Sequence, residues 1–118
     1  MRIFDCDLGV FDTESTGLDT EAARVIELGL LLHFAGQTGF GMYHAFFNPE
    51  CPIPKEATDV HGITDEKVKD SPRFADKAAA IVEQFKRVDV LVGYNAVGYD
   101  TKIMNAELRR AGADWSID

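Results

Sequence analysis

The chain has 118 residues, 46% of them hydrophobic, and a formal net charge of −8. That composition suits one small globular domain with a real core and excludes a disordered tail; no apolar run approaches the ~20 residues of a membrane span. The acidic balance excludes broad electrostatic gripping of duplex DNA, which needs a basic surface, and leaves room for a compact site that reaches phosphate through metal ions.

The charge is lopsided. Residues 1–60 carry Arg2, Arg24 and Lys55 against ten acids, and the rest carries nine Lys and Arg against ten. Cys6 and Cys51 have no metal-ligand spacing, so a reduced, cytoplasmic setting with both thiols unbridged is expected. No basic region followed by an apolar stretch and cleavage site is present, so no secretory signal is expected.

Leu8 to Phe11 is a short apolar run that reads as a central strand. It leads into Asp12-Thr13-Glu14-Ser15-Thr16-Gly17-Leu18. On a strand, residues two apart point to the same face, so Asp12 and Glu14 project together at the strand end. Carboxylates held that close repel unless a proton or a cation lies between them, and hard divalent ions take oxygen ligands of this kind. In a chain with 20 acids, Asp-x-Glu arises by chance about as often as not, so the pair does not carry the claim by itself.

Val25 to Phe34 is the next apolar run, and reads as a strand because Gly29 interrupts it and turn residues bound it. Gly36 to Gly39 has hairpin composition, and Phe40 to Phe47 reads as a third, antiparallel strand. Residues 48–64 hold three of the four prolines and read as a loop leading to a short helix near Thr64–Val68. Ser71-Pro72 predicts a helix start, with serine at N-cap and proline at N1. Phe74, Ala78, Ile81, Val82 and Phe85 recur at helical spacing and predict a buried stripe. Val88 to Val92 reads as a fourth strand, parallel to one of the first three after a helical crossover. A final helix is expected from Tyr99 to Arg110, with Gly112 as its C′ residue. Trp115 to Asp118 resembles the opening of another strand.

A second constellation, Gly93 to Asp100, lies where the fourth strand meets the last helix, and ligands in open α/β sheets collect at such strand ends. Asp100 shares the inward face of that helix with Ile103 and Met104, so a third carboxylate can face the strand of Asp12 and Glu14. Its bland role is a first-turn acid complementing the helix dipole. Gly93 and Gly98 have phosphate-loop spacing, but Tyr99 and Asp100 stand where that motif needs Lys and Ser or Thr. Of the histidines, His33 and His44 fall in strands, and His61 lies in a loop where a structural hydrogen bond and a ligand contact are equally open.

With these segments in order, the chain resembles the DEDD 3′→5′ exonucleases, the superfamily that includes RNase T, exonuclease I and the epsilon proofreading subunit of DNA polymerase III. Asp12 to Leu18 is similar to the first motif, Asp-x-Glu-Thr-Thr-Gly-Leu, with Ser15 for one threonine. Arg24 to Gly29 matches the second strand. Asn48-Pro49, Ile53-Pro54, Glu56-Ala57 and Val60 to Thr64 match the central loop, and Asn95 to Asp100 the second motif. Two departures stand out: the Asn95–Asp100 spacing is closer to exonuclease I than to the proofreading branch, and Tyr94 replaces a common histidine.

The resemblance implies an α/β, RNase H-like mixed sheet, with three antiparallel strands and then a parallel β-α-β-α unit. It implies a metal-dependent 3′→5′ exonuclease that hydrolyses phosphodiester bonds at single-stranded DNA or RNA 3′ ends. The family mechanism uses two Mg²⁺ or Mn²⁺ ions ~4 Å apart, one activating water and one stabilising the leaving oxygen. By resemblance, Asp12, Glu14 and Asp100 are the catalytic metal ligands. Thr13, Thr16 and Leu18 contact the terminal nucleotide, and His61, Asn95 and Tyr99 border the site. A polymerase or other replication or repair protein is the kind of partner the family implies. The third motif, a His or Tyr base followed by a fourth Asp, is absent from residues 1–118. The expectation is therefore a single exonuclease domain cut short before that motif, with its C-terminal part missing, inactive or nearly so, and with exposed apolar surface that favours association. A non-catalytic module with the same fold, binding nucleic-acid ends or a partner protein, is the alternative.

Overall fold

The computed structural model describes residues 6–93 and 98–117. The elements run β1 (Leu8–Ser15), β2 (Val25–His33), β3 (Gly41–Phe46), α1 (Lys55–His61), α2 (Asp65–Val68), α3 (Phe74–Phe85), β4 (Val90–Gly93) and α4 (Tyr99–Arg110). The four strands form one sheet in the order β3-β2-β1-β4. β1 pairs antiparallel with β2, and β2 antiparallel with β3. β4 returns parallel to β1, which a crossover through a helix permits and a tight hairpin does not. This is the expected α/β, RNase H-like arrangement. No helix among the described residues is long and apolar enough to cross a membrane.

Strand periodicity sorts side chains between two faces. Phe11, Leu28, Leu30 and Leu32 pack against α3 and α4 through Phe74, Ala78, Ile81, Val82, Phe85, Ile103, Met104 and Leu108. The rings of Phe11 and Phe85 lie 5.5 Å apart, and those of Phe47 and Phe74 5.2 Å apart. The register shifts between Glu14 and Ser15, so that Ile26 is left over opposite them. That irregularity lets Val25 join the main core while Ile26 joins a smaller one with Ile53, Ile63 and Val68. On the opposite face, one cross-strand row reads Met42, Leu31, Val10, Val92. Met42, Leu31 and Val92 are exposed, at 72%, 41% and 46%.

Three expectations need correction. Residues 48–64 are not all loop: α1 occupies Lys55–His61, entered from Pro54 and ended by Gly62 at φ 75° with its N–H on the Thr58 carbonyl. The third helix does not start at Ser71-Pro72. The Pro72 carbonyl accepts from Asn48 N–H at 2.9 Å, and Arg73 bridges Asn48 in parallel. Arg73 is thereby held extended, and Asp76 Oδ2 accepts from its N–H, so α3 begins at Phe74. Trp115 to Ile117 form no strand pairing. Instead the Asn105 side chain bonds both the N–H and the carbonyl of Ile117, and Asp118 lies outside the described residues. α4 ends as expected: Gly112, at φ 78°, donates to the Arg109 carbonyl and Ala113 to that of Leu108, the paired bonds of a Schellman motif.

Candidate active site

Asp12 and Glu14 stand on the open face of β1, both partly buried. The register gives the two rows beside them. Asp12 pairs with Gly29, which pairs with His44; Glu14 pairs with Glu27, which pairs with Phe46. Gly29 has no Cβ, so a notch separates His44 from Asp12. His44 turns along the strands instead and its Nε2 meets Glu27 Oε2 at 2.6 Å. The described residues thus bring Asp12, Glu14 and Glu27 onto one surface.

Burial and like charge act on these acids together. Burial raises the Asp12 proton affinity above its ordinary value, and the carboxylates of Asp100 and Glu27 add to that. Glu14 is raised by burial first and then by Asp12, with Glu27 and Asp100 contributing less and His61 opposing. Asp12 Oδ1 is buried and has no hydrogen-bond partner. An orphaned anionic oxygen among like charges is the environment a hard cation relieves.

Asp100 occupies the first turn of α4 and is 1% exposed. It packs against the end of β4 so closely that a Cβ on Gly93 would meet its own Cβ at 3.3 Å. Its Oδ1 accepts from Thr13 Oγ1 at 2.7 Å. Thr13 points to the opposite face from its neighbours Asp12 and Glu14, so Asp100 is anchored behind β1 while still repelling both acids. Among the described residues no cluster of three His, Cys, Asp or Glu side chains is close enough to hold a metal ion as it stands.

A cavity of about 700 Å³ opens beside Glu14. Thr13, Glu14, Thr16, Leu18, His61 and Tyr99 all line it, which brings five of the six expected substrate-contacting residues to one place. The sixth, Asn95, lies outside the described residues. Tyr99 and Ser15 brace the mouth: their hydroxyls are 2.8 Å apart and both reach the Gly17 carbonyl, at 2.7 and 2.8 Å. His61 Nδ1 accepts from Ile63 N–H at 3.0 Å, which leaves Nε2 to donate to the Ser15 carbonyl at 3.1 Å. His61 therefore has a structural role, joining the end of α1 to the end of β1, as well as a place on the cavity wall.

The sequence reading missed the part of the wall that the α1 segment supplies, where Pro54, Glu56, Ala57 and Val60 line the same cavity as Leu18. Leu18 and Val60 are 89% and 84% exposed. A signal was present: glycine in the left-handed conformation commonly ends a helix, and Gly62 ends this one.

Comparison with known proteins adds family. A family model described as Exonuclease, RNase T, matches residues 10–116. The uncharacterized exonuclease CP81 of Escherichia phage 186 is 39% identical over 93 residues, covering 79% of this chain and 44% of that protein. The DNA polymerase III subunit epsilon of Treponema pallidum is 36% identical over 101 residues, covering 83% and 44%. The chain thus spans less than half the length of these relatives. Among solved structures, exonuclease I from Methylocaldum szegediense superposes with TM-score 0.78 at 22% identity, over 90% of this chain and 24% of that one. The zinc-bound E. coli exonuclease I complex with single-stranded DNA gives 0.80 at 18%, over 92% and 24%.

Proposed function

The chain belongs to the RNase T exonuclease family, and from that premise we propose that it is the acidic core of a metal-dependent 3′→5′ exonuclease acting on single-stranded nucleic acid. The observation that carries the reading is the pair Asp12 and Glu14 on the open face of β1, with Asp12 Oδ1 buried and unpartnered and Glu14 on the cavity wall. About 700 Å³ lies within the range of small-ligand sites and suits one terminal nucleotide.

Asp12 and Glu14 would hold divalent ions, Mg²⁺ or Mn²⁺, with Asp100 joining from α4. Bound there, two such ions would supply the Lewis acidity and positive charge that phosphodiester hydrolysis needs and this acidic chain lacks. The chain's own residues do the rest. Leu18 and Val60 both offer exposed apolar surface to the cavity, suited to a base, and such stacking tolerates any sequence. Thr16 and Gly17 present a loop to the sugar-phosphate end. Tyr99 fixes that loop through the Gly17 carbonyl. Thr13 holds Asp100 behind the strand. His61 keeps α1 against Ser15. A polymerase or other replication or repair protein is the partner class that fits the epsilon relatives.

Residues 1–118 supply three of the four carboxylates the resemblance calls for, so cleavage is expected of a chain that also carries the third motif. In such a chain Asp12→Ala should abolish release of mononucleotides from a 3′ end with the fold intact; undiminished release would remove Asp12 from the mechanism. One observation favours the non-catalytic binding module: Asp100 is already committed to Thr13. Tight oligonucleotide binding with no cleavage by the longer chain would establish that reading instead.

A further inference from the structure

Glu107 is 1% exposed in the second half of α4, on a helix whose other buried positions include Ile103, Met104, Ala106 and Leu108. A carboxylate in such a place is unfavourable unless its oxygens are taken, and here they are. Oε2 accepts from the Val25 N–H at 3.0 Å. Oε1 accepts from Arg24 Nε at 3.0 Å and from Arg110 Nε and Nη2 at 3.1 and 2.9 Å. Arg110 donates in turn to the carbonyls of Glu21 and Ala23, at 2.7 and 2.8 Å. Apart from Arg110, itself on α4, the partners lie on residues 21–25, the return arm of the loop between β1 and β2.

That arm is tied directly to the cavity. Arg24 N–H donates to Thr16 Oγ1 and Thr16 N–H donates to the Arg24 carbonyl, each at 2.9 Å. Thr16, Gly17 and Leu18 line the cavity, and Tyr99 at the start of α4 holds the Gly17 carbonyl. One helix therefore grips the loop twice, at residues 99 and 107. Those positions are roughly 12 Å apart along the axis at 1.5 Å per residue, enough to fix the loop's tilt as well as its place.

We propose that Glu107 is a positioning residue: through Arg24 it sets the Thr16–Leu18 loop that lines the cavity, and so governs how tightly a nucleic-acid end is held. The functional half of this rests on the exonuclease reading above; the mechanical half does not.

Glu107→Gln keeps the shape but must turn an amide N–H₂ toward either a guanidinium or the Val25 N–H. In the 118-residue chain, amide hydrogen exchange at Thr16 and Val25 should quicken about tenfold, with Val10 to Thr13 unchanged. Exchange that quickens uniformly along β1 and β2 would overturn the proposal. Binding of a single-stranded oligothymidylate with Mg²⁺ present should weaken about tenfold. Its cycle with Thr16→Val should be non-additive by at least about threefold, because the two residues act through one path. Additive losses would also overturn it. If Glu107→Gln does not fold, Arg24→Lys removes the Arg24 Nε–Glu107 bond from a side chain that is 26% exposed and should show the same loop-confined exchange; a silent Arg24→Lys overturns the link. A wild-type chain that binds no oligonucleotide would contradict the exonuclease reading, and the exchange result alone would then decide the positioning role.

Discussion

Phe11 and Asp12 are neighbours on β1, yet they answer to different constraints. Phe11 points into the packed side of the sheet, where its ring meets Phe85 and nothing polar is needed. Asp12 points to the other side, where β2 offers it a glycine and β1 and β2 supply Glu14 and Glu27. The covered face is chosen for packing, while the open face carries the apolar row of Met42, Leu31 and Val92 at one end and acids with raised proton affinity at the other. The difference teaches that one strand can meet two constraints, packing on one face and, at Asp12 and Glu14, like charge that raises proton affinity on the other.

The largest test of that contrast is Phe11→Ala. Removing a ring that is 1% exposed should lower stability by about 3–5 kcal/mol, read from the denaturant midpoint. A loss below about 1 kcal/mol would mean the two faces are not so different.

Asp12→Asn should act in the opposite direction. The folded chain binds the Asp12 proton more tightly than the unfolded chain does, because burial and Asp100 raise its value above 3.8. The stability this gives is fully present below that ordinary value and is lost as pH rises through the raised folded-state value. Glu14 behaves alike from 4.5 upward. The metal-free Asn variant should therefore melt higher than wild type at pH 7, with the gap closing toward pH 4. A variant that melts lower across that range would show that Asp12 supports the fold.

Much of this contrast is legible in the sequence. The apolar run Leu8 to Phe11, the stripe Phe74 to Phe85 and the bounds of Tyr99 to Arg110 follow from composition, period and end signals, because core burial enforces them. Misreadings arose where distant contacts decide. Asn48 overrides the local capping preference of Ser71-Pro72. α1 is short and has no fully buried residue, so no apolar stripe announces it. The residue types and spacing of the candidate site can be read from the sequence, but the Thr13–Asp100 bond and the Glu107 clamp join positions more than 80 apart, and no local pattern encodes those.

Smaller effects belong to the open face. Met42→Lys combined with Val92→Lys should leave the unfolding midpoint within about 0.5 kcal/mol of wild type while lowering concentration-dependent association, measured by sedimentation. Unchanged association would mean the exposed row is not what drives it. Gly29→Ala should be nearly silent or stabilising by up to about 1 kcal/mol, since a Cβ there meets nothing within 4 Å. A clear loss would show that the notch beside Asp12 is filled.

The most direct measurement is thermal unfolding of wild type and Asp12→Asn with increasing Mn²⁺ at pH 7. Site binding predicts a melting temperature that climbs for wild type, by the equivalent of about 2.7 kcal/mol at a hundredfold excess over the dissociation constant, and stays flat for the variant. Equal climbs in both chains, or none in wild type, would contradict a metal-binding role for the carboxylates of β1.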